Sequence, residues 1–218
     1  MPPEANSSSV VLLRRKVVNP YLGEADPGGL AACPQKTSGV VVSALNRSPG
    51  KVQQVLCLGN VTDKMTLEYL RNLSNDYQAV KGEFDSSSTL PLNKVVTQGQ
   101  LKIGIVAGHT VVPNNDPDAL LIIARQLDVD ILLWGGSHRV EAYQVEGKFF
   151  INPGSATGAF YTGWEEDVEE AQSEEDLQDP IPSFCLLDVQ GAVCTVYIYS
   201  YIDGEVKVDK MVYRKELN

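Results

Sequence analysis

Apolar and polar residues follow regular rhythms along the chain, and the first clear unit begins near residue 50. Apolar runs at residues 52–59 and 78–82 have the length of buried strands. Between them, residues 66–74 (TLEYLRNLS) place apolar side chains three and four positions apart, as one face of a helix requires. Strand, helix and strand in this order favour a sheet with helices packed on it.

A second unit repeats this order. Residues 102–108 (KIGIVAG) predict a strand, residues 116–127 a helix and residues 130–135 (DILLWG) the next strand. The sequence DPD opens the helical stretch, so Asp116 or Asp118 can cap it.

The last third of the chain changes to adjacent strands joined by short turns such as QG and DG. These strands are predicted at residues 149–152 (FFIN), 182–190 (PSFCLLDVQ), 192–202 (AVCTVYIYSYI) and 205–214 (EVKVDKMVYR). Together with the two earlier units, they predict an α/β sandwich with mixed sheets.

Two segments depart from this pattern. Residues 1–48 are rich in Ser, Pro and Gly around two short apolar runs, at residues 10–13 and 39–45, and we expect much of this segment to be irregular. Residues 162–180 carry many carboxylates and no basic side chain, which predicts a solvated surface loop in which Trp164 is the one residue suited to anchor a partner. The regular domain therefore spans residues 49–218.

Composition narrows the class of protein. With 218 residues, of which 43% are apolar, the chain is expected to form one soluble domain. The formal net charge of −10 argues against direct binding of nucleic acid or anionic membrane. The chain shows neither a signal peptide nor an apolar run of membrane-spanning length, so we expect an intracellular protein. Its four cysteines lack CxxC spacing and are expected to be reduced and mostly buried: Cys33, Cys57, Cys185 and Cys194.

Several predicted strands end in small or polar residues. The carboxyl ends of strands in an α/β sheet meet at one crevice, where ligands usually bind. The candidate side chains there are Asn60, Glu83, His109 and His138. Oxygen and imidazole groups of this kind serve catalytic metal ions, but polar residues also end strands simply by making turn hydrogen bonds.

The order of these motifs carries a family resemblance. GN, KGEFD, GH, GxxH and INPGS follow one another as in the calcineurin-type metallophosphoesterases. Within that fold, residues 49–218 are most similar to the vacuolar protein sorting-associated protein 29 family, the small subunits of the retromer core. The resemblance implies a metallophosphoesterase-like αββα sandwich with mixed sheets.

The resemblance also exposes missing metal ligands. Phosphoesterases of this fold open with a strand that ends in Asp-x-His, which this chain lacks, and Ala107 and Gly136 stand where the family has histidines. We therefore expect Asn60, Glu83, His109 and His138 to be vestigial, with no catalytic residue, bound metal or cofactor. The competing hypothesis is a divergent metal-dependent phosphoesterase.

By resemblance, the chain is expected to be a non-catalytic scaffold of the retromer coat, which retrieves cargo from endosomes to the Golgi and plasma membrane. Val111, Val112 and Pro113 would bind the helical solenoid of vacuolar protein sorting-associated protein 35 and, through it, protein 26. The alternative is that both valines pack under their own loop. The expected location is the cytoplasm, peripheral to endosomal membranes.

A second surface is implied on the late strands. The resemblance places Leu186 and Tyr199 in an exposed apolar pocket for short Pro- and Leu-containing segments of regulators such as Rab GTPase-activating proteins. Alternation alone equally allows both side chains to pack within the sheet.

The start of the chain departs from the family. Residues 10–13 can replace the first strand, which would put Arg14 and Arg15 where acidic and imidazole ligands belong. The alternative is an altered gene model, whose sheet would lack a central strand.

Overall fold

The computed structural model describes residues 10–14, 52–62, 64–85, 87, 89–158 and 181–216. These residues form two β-sheets that pack face to face, with one helix on the outer side of each. The αββα sandwich with mixed sheets is therefore confirmed.

The first sheet has six strands in the order β11-β10-β9-β1-β2-β3, and the second has five in the order β4-β5-β6-β8-β7. The strands of the first sheet are β1 (Val10–Arg14), β2 (Gln54–Cys57), β3 (Asp76–Ala79), β9 (Ser183–Gln190), β10 (Val193–Ile202) and β11 (Glu205–Arg214). Those of the second are β4 (Asn93–Gln98), β5 (Leu101–Val106), β6 (Ile131–Trp134), β7 (Val140–Val145) and β8 (Lys148–Pro153).

Helix α1 (Lys64–Leu73) lies against the first sheet and helix α2 (Pro117–Gln126) against the second. Asp116 caps α2, because its carboxylate accepts a hydrogen bond from the Ala119 N–H at 3.0 Å. Of the two predicted caps, Asp116 is thus the one used. Neither helix is long and apolar enough to cross a membrane, as far as the described part of the chain goes.

The main core lies between the two sheets. It combines the inward side chains of the central strands, including Leu56, Ile103, Ile131, Ile151, Leu187 and Val196, all 0% exposed. A smaller cluster forms under each helix. Cys57, Cys185 and Cys194 are buried and free, so their predicted burial is confirmed; Cys33 lies outside the described residues.

Strand β1 occupies the middle of the first sheet, so the expectation that residues 10–13 supply a strand there is confirmed. Val11 and Leu13 are 0% and 2% exposed and belong to the main core. The strand runs antiparallel to β2, with Val10 opposite Cys57, and parallel to β9, with Val11 beside Cys185.

The direction of β1 overturns one expectation. Because β1 runs antiparallel to β2, its carboxyl end lies at the amino end of β2. There, the backbone of Arg14 stands beside that of Asp188 in the ladder with β9. Arg14 therefore does not stand at a ligand position, and Arg15 lies outside the described residues. The run VVLL reads almost the same in both directions, so its pattern carries no information on strand direction.

Two strands were not predicted from the pattern, β4 and β7. Both are edge strands of the second sheet, and polar residues interrupt the apolar ones in their sequences, NKVVTQ and VEAYQV. The apolar run at residues 39–45, the acidic loop at 162–180 and its Trp164 lie outside the described residues.

Candidate functional site

A crevice opens where the carboxyl ends of β2, β3, β5 and β6 meet. It holds a cavity of about 250 Å³, and all four predicted residues line it. The lining consists of Leu58, Gly59, Asn60, Gly82, Glu83, Phe84, Ala107, Gly108, His109, Asn114, Gly136 and His138. The prediction that these strand ends converge is thus confirmed.

Asp85 ties the loops after β2 and β3 together. Its Oδ2 accepts hydrogen bonds from the backbone N–H groups of Asn60 at 3.0 Å and Gly82 at 2.8 Å. In return, Asn60 Oδ1 accepts from the Phe84 N–H at 3.0 Å. Asn60 adopts a left-handed backbone with φ of 59°, which asparagine tolerates better than most residues. Its amide oxygen therefore serves the turn between the loops.

The loops after β5 and β6 approach each other through bare backbone. A Cβ atom on Gly108 would lie 1.6 Å from the carbonyl oxygen of Gly135, so no side chain fits there. Gly136, with φ of 106°, stands directly beside this contact. The width of the crevice on this side is consequently set by main-chain contact.

Two buried polar residues hold the loop that carries His138. Asn152 Nδ2 donates to Ser137 Oγ at 2.8 Å, and Asn152 Oδ1 accepts from the Gly154 N–H at 3.1 Å. Asn152 is 0% and Ser137 1% exposed, so both amide and hydroxyl depend on these bonds. Sequence reasoning noted INPGS as a motif but assigned Asn152 no role, and it also missed Asp85.

The donor set in the crevice does not fit two metal ions. A two-ion centre needs several oxygen or nitrogen ligands around each ion. Ala107 and Gly136 offer no side-chain ligand, and the Phe84 N–H uses one of the two lone pairs of Asn60 Oδ1. Over the described ranges, no three or more His, Cys, Asp and Glu side chains are grouped so that they could hold a metal ion.

The loop after His109 forms the rim of the crevice. Residues Gly108–Thr110 make a single 3₁₀ turn, closed by the Thr110 N–H and hydroxyl to the Ala107 carbonyl at 3.1 and 2.7 Å. Further along, Trp134 Nε1 donates to Asn115 Oδ1 at 3.2 Å and fastens the far end of the loop. The rim is therefore anchored on both sides.

The two valines of this loop have different surroundings. Val112 is 81% exposed, and Pro113 is exposed beside it. Val111 is 2% exposed and packs in the cluster with Leu120 and Trp134. The expectation that Val111 lies at the surface is wrong, because its side chain is buried in this cluster, while its backbone N–H closes the turn on the Gly108 carbonyl at 3.0 Å.

The outer face of β9, β10 and β11 presents the second predicted surface. The rings of Phe184 and Tyr199 stack with centroids 4.7 Å apart and planes within 3° of parallel. Leu186 and Tyr199 are half-buried, whereas Leu187 faces the core. Tyr199 stands opposite Val208 of β11, which is 49% exposed.

The exposed valines of β11 were not identified from the sequence. Val206, Val208 and Val212 alternate along the strand and are 45%, 49% and 59% exposed. The alternation in EVKVDKMV was the available signal, since side chains two positions apart share a face of a strand. They extend the apolar surface beside Tyr199.

Comparison with known proteins gives consistent matches. Residues 38–191 match the calcineurin-like phosphoesterase superfamily domain. Vacuolar protein sorting-associated protein 29 (Vps29) of Schizosaccharomyces pombe is 49% identical over 167 residues, which cover 77% of this chain and 84% of that protein.

Solved structures agree. The crystal structure of Chaetomium thermophilum Vps29 is 41% identical with a TM-score of 0.72, covering 95% of this chain and 100% of the other. Wild-type Vps29 of Entamoeba histolytica, complexed with zinc, is 38% identical with a TM-score of 0.70, covering 93% of this chain and 98% of the other.

Proposed function

The chain belongs to the Vps29 family of the calcineurin-like phosphoesterase superfamily, and from this premise we propose that it is a non-catalytic scaffold subunit of the retromer coat. In this role it takes part in retrieving cargo from endosomes to the Golgi and plasma membrane. Its surfaces bind other proteins, and its crevice performs no chemistry.

The observation that carries this proposal is the exposure of Val112 on a fixed rim. The side chain is 81% exposed, although its loop is anchored by the turn at Gly108–Thr110 and by Asn115. An apolar side chain held rigidly in water loses little conformational entropy when a partner covers it. Covering a valine contributes about 1.5 kcal/mol.

The partner on this rim is the helical solenoid of vacuolar protein sorting-associated protein 35, and protein 26 joins through it. Val112 and Pro113 make the direct contact in this proposal. Val111 supports the rim from below, because it is buried against Leu120 and Trp134. The three residues therefore divide into two contacts and one support.

The donor set supports the proposed absence of catalysis. Ala107 and Gly136 supply no side-chain ligand, and one lone pair of Asn60 Oδ1 is used by the Phe84 N–H. The competing proposal, a divergent metal-dependent phosphoesterase, draws support from the zinc complex of the Entamoeba histolytica relative. It would require a metal site assembled from the remaining groups at His109, His138 and Glu83.

Regulators such as Rab GTPase-activating proteins occupy the second surface in this proposal. Tyr199 stacks on Phe184, with Leu186 and the exposed Val208 nearby on neighbouring strands. An aromatic ring beside aliphatic side chains is a common core of binding hot spots. The chain would remain in the cytoplasm and reach endosomal membranes only through the complex, as its net charge of −10 favours.

The test is binding to purified vacuolar protein sorting-associated protein 35, measured by isothermal titration calorimetry. Val112→Asp should weaken binding by about 30-fold or more, because a carboxylate facing an apolar groove costs at least about 2 kcal/mol. Val212→Asp is the matched control, since this valine is also exposed but lies on β11, the edge strand of the first sheet, and not on the rim. Equal binding by the wild type and Val112→Asp would contradict the proposed contact.

The enzyme alternative is tested on the same preparations. Hydrolysis of p-nitrophenyl phosphate with added Mn²⁺ should be no faster for the wild type than for His138→Ala. A robust turnover that disappears in His138→Ala would overturn the scaffold proposal.

A further inference from the structure

We infer that the direction of β1 removes the two-ion centre by topology, so that ligands placed after this strand cannot reach the crevice. The inference goes beyond the proposed function, because it concerns what the fold can hold and does not depend on any partner. It implies that the crevice accepts at most one divalent ion even after ligands are restored on the other strands.

The ladder between β1 and β2 places the two ends of β1. Val10 is opposite Cys57, which leads directly into the crevice residue Asn60. Leu13 is opposite Gln54, and its carbonyl accepts a hydrogen bond from the Gln53 N–H at 3.0 Å. The amino end of β1 thus lies at the crevice, and its carboxyl end lies at the other end of the sheet.

The ladder on the other side of β1 gives the same direction independently. Strand β9 starts near the crevice, since Ser183 Oγ donates to the Pro153 carbonyl at 2.8 Å, next to the residue that holds the His138 loop. Strand β1 runs parallel to β9, from Val11 beside Cys185 to Arg14 beside Asp188. Both neighbours therefore agree on which end of β1 faces the crevice.

The separation is too large for a ligand to bridge. The four steps between successive residues from Val10 to Arg14 span about 13 Å in an extended chain. A metal–oxygen or metal–nitrogen bond is about 2 Å long. A carboxylate introduced at position 14 would consequently lie far from any ion held near Asn60. A phosphoesterase whose first strand ends in Asp-x-His needs that strand to run parallel to β2.

The first experiment counts bound ions in two variants after equilibrium dialysis against Zn²⁺, by inductively coupled plasma mass spectrometry. The base variant, Asn60→Asp with Ala107→His, restores ligands on β2 and β5. The second variant adds Arg14→Asp and Lys16→His, which recreates Asp-x-His after β1. We expect no more than one ion per chain in both. A second ion gained on adding the Arg14 and Lys16 changes would overturn the inference.

The second experiment reads the strand direction without metal and with single substitutions. Residues directly opposite in an antiparallel pair share a face, with Cβ atoms about 5 Å apart. Val10→Cys should therefore form a disulfide with the native Cys57 under mild oxidation, identified by peptide mass spectrometry. Leu12→Cys, opposite Val55, should form none with Cys57. The reverse pattern would show that β1 runs parallel to β2 and would overturn the inference.

Discussion

Val111 and Val112 are consecutive residues on the crevice rim, yet the structure exposes 2% of the first and 81% of the second. This difference predicts opposite effects of the same substitution. Val111→Ala should lower the free energy of unfolding by about 2 kcal/mol, because it empties space beside Leu120 and Trp134. Val112→Ala should change it by less than about 0.5 kcal/mol. Urea denaturation followed by circular dichroism measures both. Equal losses of stability would contradict the assigned orientations.

Asp85 should be a stability determinant of the crevice. Its carboxylate accepts N–H groups from Asn60 and Gly82, and hydrogen bonds to a charged acceptor contribute about 2 kcal/mol. Asp85→Ala should therefore lower the unfolding free energy by about that amount or more. Asp85→Asn keeps one carbonyl oxygen as acceptor and should lose less. If the two variants unfold at the same urea concentration, the acceptor role is wrong.

The buried thiol of Cys57 should lower the free energy of unfolding at alkaline pH. Burial raises the pKa of Cys57 from its ordinary value of 9.0 to about 11. The pKa of this thiol is higher in the folded than in the unfolded protein. The stability that the buried, neutral thiol contributes is therefore fully present below pH 9 and is lost as the pH rises to about 11. The difference corresponds to about 3 kcal/mol at most.

Thermal or urea unfolding between pH 8 and pH 11 tests this dependence. Cys57→Ala should lose less stability over this range than the wild type, since it has no thiol to ionise on unfolding. Parallel curves for the two proteins would show that Cys57 does not contribute to the alkaline loss.

The outer face of β9 and β10 should bind peptides independently of the rim. Tyr199→Ala removes the ring stacked on Phe184 and should weaken binding of a fluorescent peptide that contains Pro and Leu by about 10-fold. Tyr201→Ala, two residues along the same strand, is the control and should bind normally. Fluorescence polarisation measures both affinities, and calorimetry with vacuolar protein sorting-associated protein 35 should show no change. A comparable loss in Tyr201→Ala would argue against a pocket centred on Tyr199.

Much of the fold could be predicted because local patterns and tertiary contacts agree. Examples are the helix cap at Asp116 and the apolar runs that form β2, β5 and β6. Each of these segments buries one or both of its faces, and the sequence pattern shows this. The convergence of Asn60, Glu83, His109 and His138 also followed from their positions at strand ends.

Other features depend on contacts that no local pattern encodes. Whether Val111 or Val112 points inward depends on how the rim loop packs on the cluster that contains Leu120 and Trp134. The role of Asp85 appears only when the loops after β2 and β3 are adjacent. The direction of β1 is set by its two neighbours, because an alternating strand of five residues buries the same side chains either way.

The position of β1 also has a consequence during synthesis. Val11 leaves the ribosome long before its neighbour Cys185, because most of the domain lies between them in the sequence. Until then, one edge of this central strand has no partner, and its backbone N–H and C=O groups are available to other chains. Completion of the six-stranded sheet must therefore wait for β9, β10 and β11, and until then the unpaired edge of β1 is open to aggregation.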